Sequence, residues 1–334
     1  MTRIKLTRRA LLGTLAAAPA ASVIGMPFIA RAAEIELKYG NNLPVTHPLN
    51  VRAQEAADRV KEKTNGRIEI KIFPNNQLGG DTDMLSQVRN GGITFFTPSS
   101  LVIATLVPAA AINAVGFAFA DYDQVWKAMD GALGAHVRAA IAKVNLFAFE
   151  KVWDNGFRQM TTSGKPIETA KDMAGLKIRV PVAPLSLSMF KALDSAPTSL
   201  QFSEVYTSLQ TKVVDAQENP LPTIEAKKFY EVQKYITLTG HITESLVTAV
   251  SGSVWSKLSD ADKKIFDQVL WEASSRASQD IVDAENRLVA EFEKKGKTVN
   301  KVDRAPFAAA VLPSLTAADA PWPKSLYERI QAIK

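Results

Sequence analysis

Apolar and polar residues alternate from Ile35 to Tyr39 and again from Ile68 to Phe73, the period of half-buried strands. Between them, Pro48 to Thr64 repeats at helical spacing, with Leu49, Ala53, Ala56, Ala57 and Val60 on one face and Gly66 placed as a C-terminal cap. Asp81 to Asn90 predicts a second helix, with Met84, Leu85 and Val88 inward and Gly91-Gly92 as its stop, and Ile93 to Phe96 a third strand. Strands alternating with helices in this way imply right-handed crossovers and a largely parallel sheet. A second cycle follows: strand Lys177–Val180, helices Pro184–Leu193 and Ser203–Thr211, strand Val213–Gln217 and helix Pro222–Phe229. Tyr235–Leu238 and Leu246–Val254 read as strands leading back toward the first half. Helical periodicity then runs from Ser259 to about Lys295 through Ile265, Val269, Ala273, Ala277, Ile281, Leu288 and Phe292, longer than the globular norm. Thr298–Val302 and Leu326–Ile333 complete the chain. The expected fold class is α/β, with two lobes, a ligand cleft between them at the carboxyl ends of strands, and a long helix spanning both.

The first residues change this picture only by leaving it. Arg8-Arg9 precedes an apolar, Ala-rich stretch from Leu11 to Ile29, and Ala30-Arg31-Ala32 is a small-x-small cleavage signal. Residues 1–32 therefore read as a signal peptide, of twin-arginine type, which exports the protein already folded, with an ordinary Sec signal that happens to contain two arginines as the alternative. Five of the 40 basic residues and none of the 34 acidic ones lie there, so the rest carries 35 against 34, a net charge of +1. Near-neutral, interspersed charge gives no footprint for nucleic acid or for direct membrane insertion. The chain has no cysteine, which excludes disulfides, thiol catalysis and lipid attachment through an N-terminal cysteine. The expected location is the periplasm, free of any tether.

Candidate chemistry is sparse. His47, His136 and His241 show no metal-ligand spacing, and neither a phosphate-cradling glycine loop nor a nucleophile elbow is present. No metal, no cofactor and no catalytic residue is expected. What stands out are two arginines, each beside a short apolar run: Arg158 in Asp154-Asn155-Gly156-Phe157-Arg158-Gln159 and Arg179 in Gly175-Leu176-Lys177-Ile178-Arg179-Val180-Pro181. Arginine at such a place must meet an anion or carry a costly unpaired charge, and its planar fork fits a carboxylate through two parallel bonds. A small organic acid is the expected ligand.

The order and spacing of several segments support a resemblance. These are the run from Gly66 to Pro74, Gln77-Leu78-Gly79, Gly156-Phe157-Arg158, Leu176 to Pro181, Phe202 to Gln210, and Val214 to Pro220. The chain resembles, over residues 34–334, the periplasmic solute-binding proteins of tripartite ATP-independent periplasmic (TRAP) transporters. The resemblance implies the two-lobed periplasmic binding protein fold, here divided as 33–155 plus about 245–280 and 156–244 plus about 281–334. It implies a non-enzymatic, monomeric receptor that hands its ligand to the integral membrane subunits of the transporter. Arg179 is implied as the signature carboxylate ligand and Arg158 as a second arginine. Asn219 is implied as an assisting amide, Phe202 as an aromatic packing on the ligand, and Asn42 as a polar residue after the first strand. Sialate-binding members carry a glutamate and an arginine where this chain has Ser99 and Val102, with Ser100 adjacent, which favours a smaller or more apolar ligand. With Phe96, Phe117 and Trp153 as an aromatic wall, the expected ligand is an aromatic or 2-oxo acid. A C4-dicarboxylate, a sugar acid, or an enzyme acting on organic acids are the alternatives.

Overall fold

The computed structural model describes residues 33–315 together with Glu328, Ile330 and Ala332. The leader expected over 1–32 lies outside the described residues, as does most of the helix expected over Leu326–Ile333. The described strands, in chain order, are β1 (Ile35–Gly40), β2 (Ile68–Phe73), β3 (Phe95–Phe96), β4 (Leu146–Ala148), β5 (Trp153–Thr162), β6 (Lys177–Val180), β7 (Ala196–Ser199), β8 (Ala216–Pro220), β9 (Tyr235–Leu238), β10 (Thr243–Leu246), β11 (Ala249–Ser251) and β12 (Thr298–Lys301). They form two sheets. The first runs β2-β1-β3-β11-β4, and the second runs β12-β9-β5-β8-β6-β7 with β10 paired to β5. The mixed α/β class expected from the alternating pattern is what the chain adopts.

In the first sheet β1 lies parallel between β2 and β3. The helix Pro48–Lys63 makes the first crossover and Asp81–Asn90 the second. His47 caps the first helix by accepting from the Leu49 amide (3.2 Å), and Pro48 begins it, where its missing N–H costs nothing. Gly91 ends the second at φ +80, a conformation that favours glycine. Because β1 and β3 are parallel neighbours, with Gly40 opposite Phe96, the residues that follow each strand, Asn42 and Ser99, emerge at one edge. In the second sheet β6 is parallel to β7 and β8, with Arg179 opposite Gln217 and Thr198. β5 runs antiparallel to β8, which sets Arg158 opposite Pro220.

The chain passes from the first sheet to the second after β4 and returns between β10 and β11, at Val247 and Thr248. A third link is the helix Asp260–Lys294, 35 residues without interruption, capped by the Ser259 hydroxyl accepting from the Asp262 amide at 3.1 Å. It is tied to the first crossover helix by Arg52–Asp280 (2.7 Å) and Arg59–Glu272 (2.6 Å). Its C-terminal half leads into β12 of the second sheet.

Three segments depart from the sequence expectation. The run Leu246–Val254, read as one strand, is β10, a crossing, β11 and a short helix Gly252–Trp255. Every residue from Leu246 to Ser251 is buried, and continuous burial hides the point where a chain changes sheets. β5 was not foreseen as a strand: nine of its ten residues are buried, so it lacks alternation. The strand expected at Val213–Gln217 lies later, at Ala216–Pro220, which places Asn219 inside it.

Candidate functional site

The carboxyl-terminal edges of β1, β3, β6 and β8 converge, with β5 and β10, on a narrow cavity that is partly open to solvent. It is lined by Asn42, Leu43, Asp81, Ser99, Val102, Asn155, Arg158, Arg179, Pro181, Phe202, Asn219, Thr223, Glu244 and Leu246. A larger groove, about 930 Å³, lies elsewhere against Phe147, Arg138 and Trp271, and contains neither arginine.

Arg179 is 2 % exposed. Its Nε and Nη2 both donate to the Leu200 carbonyl, at 3.1 and 2.8 Å, and its guanidinium lies 5.9 Å from the centre of the Phe202 ring. Among the described residues no carboxylate comes within ion-pair distance of it. Burial, reinforced by the neighbouring positive charge of Arg158, lowers its pKa to about 10, so it remains a cation at neutral pH. A buried cation held by one carbonyl and one ring, with Glu218, Asp81 and Glu244 acting on it only from beyond ion-pair distance, keeps part of its desolvation cost unmet.

Arg158 is placed in the same cavity but in a different state. Its Nε and Nη2 grip Glu218, with Nη2 to Oε1 at 2.8 Å, and its Nη1 pairs with Glu244. Burial alone would raise the Glu218 carboxyl, but Arg158 and His241 together outweigh it and hold the group down at about 2. His241 adds a third contact, Nε2 to Glu218 at 3.0 Å, and burial lowers its own pKa, so its imidazole is neutral at pH 7. The second arginine expected to hold the ligand therefore has its fork occupied by Glu218. Its charge organises the floor of the cavity through two acids.

The other residues singled out from the sequence divide. Asn42 lines the cavity and donates its amide to both oxygens of Asp81 at 3.0 Å. Asn219, 3 % exposed, donates to Gln217 at 2.6 Å. Phe202 lies edge-on to Phe229, 6.0 Å between centroids. Ser99 caps a short helix through the Leu101 amide (3.3 Å), and Val102 faces the cavity one turn on. Ser100 is buried, its hydroxyl without a hydrogen-bond partner, and is not among the lining residues. Trp153 is also outside the lining: its indole donates to Thr248 at 2.9 Å and its ring fills the hydrophobic core. Phe96 is likewise core, and Phe117 lies 5.7 Å under the Arg304 guanidinium beside a separate hollow. The aromatic wall expected of Phe96, Phe117 and Trp153 is therefore not formed, and among the described residues Phe202 is the one aromatic in the lining.

Asp81, Asn155, Thr223 and Glu244 were not foreseen. Asp81 opens a helix and reads as an ordinary first-turn acid. Its place after β2, on the edge where Asn42 emerges, is the signal that identifies it. Burial raises its pKa, against the opposing bonds from Asn42. The cavity thus presents one unpaired guanidinium, carboxylates and amides that accept or donate to hydroxyls, and an apolar side of Leu43, Val102 and Leu246.

Comparison with known proteins shows the family to which the chain belongs. Residues 39–319 match the DctP family, bacterial extracellular solute-binding protein, family 7. The sialic acid-binding periplasmic protein SiaP of Vibrio cholerae is 36 % identical over 262 residues, 78 % of this chain and 81 % of SiaP. A TRAP periplasmic solute-binding protein from Polaromonas sp. JS666, solved with bound D-erythronate, superposes with a TM-score of 0.86 at 34 % identity, covering 90 % of this chain and 99 % of that one. One from Sulfurospirillum deleyianum with bound succinate gives 0.85 at 29 % identity, covering 90 % and 100 %. The chain belongs to the family of solute-binding proteins that serve TRAP transporters.

Proposed function

We propose that this protein is a periplasmic receptor that captures a short, hydroxylated monocarboxylic acid and delivers it to the membrane subunits of a TRAP transporter. The observation that carries the reading is Arg179, a buried guanidinium in a cavity, without a carboxylate partner among the described residues. A ligand carboxylate supplies that charge through two parallel bonds, and charge-assisted bonds contribute about 1.5–3 kcal/mol each. Asn219 and Phe202 flank the same position. The opposite side favours hydroxyls: Asp81 and Glu244 accept from them, while a second ligand carboxylate there meets like charge. The sugar-acid alternative is thereby favoured over a C4-dicarboxylate. An aromatic acid loses its support with the aromatic wall. The D-erythronate and succinate bound to the two similar structures define the comparison to make.

The test is a thermal-shift and calorimetry series with D-erythronate, succinate and phenylpyruvate. The expected order of stabilisation is D-erythronate, then succinate, then phenylpyruvate, with the bound acid recovered unchanged. Tighter binding of succinate than of D-erythronate sinks the hydroxy-acid reading. Acid binding undiminished in Arg179→Ala sinks the site.

A further inference from the structure

Two side-chain hydrogen bonds join the halves of the molecule beside the cavity without belonging to its lining. Gln201 Nε2 donates to Thr82 Oγ1 at 2.9 Å, and Lys227 Nζ donates to Asn75 Oδ1 at 3.0 Å. Thr82 and Asn75 follow β2 of the first sheet. Gln201 follows β7, and Lys227 ends the helix Leu221–Ala226 that follows β8 of the second. Each bond sits next to the site: Thr82 adjoins Asp81, and Gln201 adjoins Phe202. The Lys227 ammonium also lies 5.2 Å from the Phe202 ring centre, so that one ring carries both Lys227 and Arg179. On the first-sheet side the anchor is a built feature. Asn75 and Asn76 both hold left-handed backbone, φ +54 and +61, fixed by the amide bonds Asn75 to Leu43 (2.9 Å) and Asn76 to Asn41 (3.1 Å). Residues kept at such angles persist only where their surroundings determine them.

We propose that Gln201–Thr82 and Lys227–Asn75 form a clasp that holds the two halves together over a bound acid, setting how fast it leaves without touching it. The clasp residues are positioning residues. The inference rests on the receptor reading for its ligand, but its bonds exist between protein groups alone. Closure brings Asp81 and Phe202 to opposite sides of the cavity, and the same movement brings Thr82 to Gln201. Site completion and clasp formation are then one event, and any stabilisation of the clasp raises the population of the binding-competent form.

The absence of cysteine permits a direct measurement. Val45, on the first-sheet side, and Val213, before β8, are 66 % and 59 % exposed. Val45→Cys with Val213→Cys accepts a spin label on each half, and pulsed dipolar spectroscopy reads the distance between them with and without saturating D-erythronate. In this background Thr82→Val and Lys227→Met each shift the closed-to-open ratio toward long distances by about 2- to 10-fold, the equivalent of one hydrogen bond. Asn75→Asp, which turns a neutral acceptor into an ion-pair partner for Lys227 and tolerates the left-handed backbone, shifts it the other way. Dissociation of D-erythronate accelerates in the first two and slows in the third. If all three variants keep the parent distance distribution, the clasp is wrong. If the parent ignores every acid while the variants still move the distances without ligand, the receptor reading fails and the clasp stands.

Discussion

At the scale of single residues, the contrast between two arginines decides the chemistry. Arg158 and Arg179 are both buried, yet one is neutralised by Glu218 and Glu244 and the other is not paired with an acid. Removing Arg179 should therefore abolish acid binding while the melting temperature of the ligand-free protein stays level or rises, because an uncompensated buried charge is lost. Arg179→Lys should bind poorly for want of the fork. Calorimetry paired with thermal unfolding checks both. Glu218→Gln should do the opposite, destabilising the fold by about 3–5 kcal/mol in urea titrations, since it strips a buried partner from Arg158. Glu285 carries a pH dependence. It accepts from the Tyr122 hydroxyl at 2.6 Å and from the Phe157 amide at 3.0 Å, and burial raises its pKa to about 7 from 4.5. A carboxyl raised in the folded state binds its proton more tightly there. Its stabilising contribution is complete below pH 4.5 and is lost as pH rises through 7. Glu285→Gln should flatten the stability profile between those values, and an unchanged slope would exclude the assignment.

Among elements, β5 holds the centre of the design. It carries Asn155 and Arg158 to the cavity, pairs with β8, β9 and β10, and packs on the long helix. Gly156 within it has φ +106, and a Cβ there would collide with a Glu285 carboxylate oxygen and come 3.2 Å from Pro220. Both the backbone angle and the close approach of the helix demand glycine. Gly175 also has positive φ, +70, but open space around it. Gly175→Ala should cost about 1–2 kcal/mol, the left-handed backbone penalty alone. Gly156→Ala should cost clearly more and weaken acid binding, because Glu285 must be displaced. Equal losses in denaturant titrations would show that the helix contact is irrelevant.

Among the described residues, two sheets are joined by three chain passages, with a cavity where strand ends from both meet. Ligand that binds only this arrangement stabilises it by mass action, about 2.7 kcal/mol at a hundredfold excess over Kd. The sequence by itself determined the strand–helix alternation and the 35-residue helix to within a residue at each end, and it singled out Arg179 as a cation in an apolar strand, because each follows from local periodicity or from the chemistry of one side chain. Family resemblance in the arginine, aromatic and Asn-Pro segments brought Asn219, Phe202 and Asn42, all of which line the cavity. Tertiary structure alone decided which charges cancel. Nothing local in Gly-Phe-Arg tells that Glu218, 60 residues on, and Glu244, beyond it, will close on Arg158. It alone sent Trp153 to the core rather than the cavity, by giving its indole Thr248 as a partner, and brought Asp81 into the site. Ion pairing and cavity lining depend on where distant strands end, and that is fixed by sheet order, which no stretch of sequence encodes by itself.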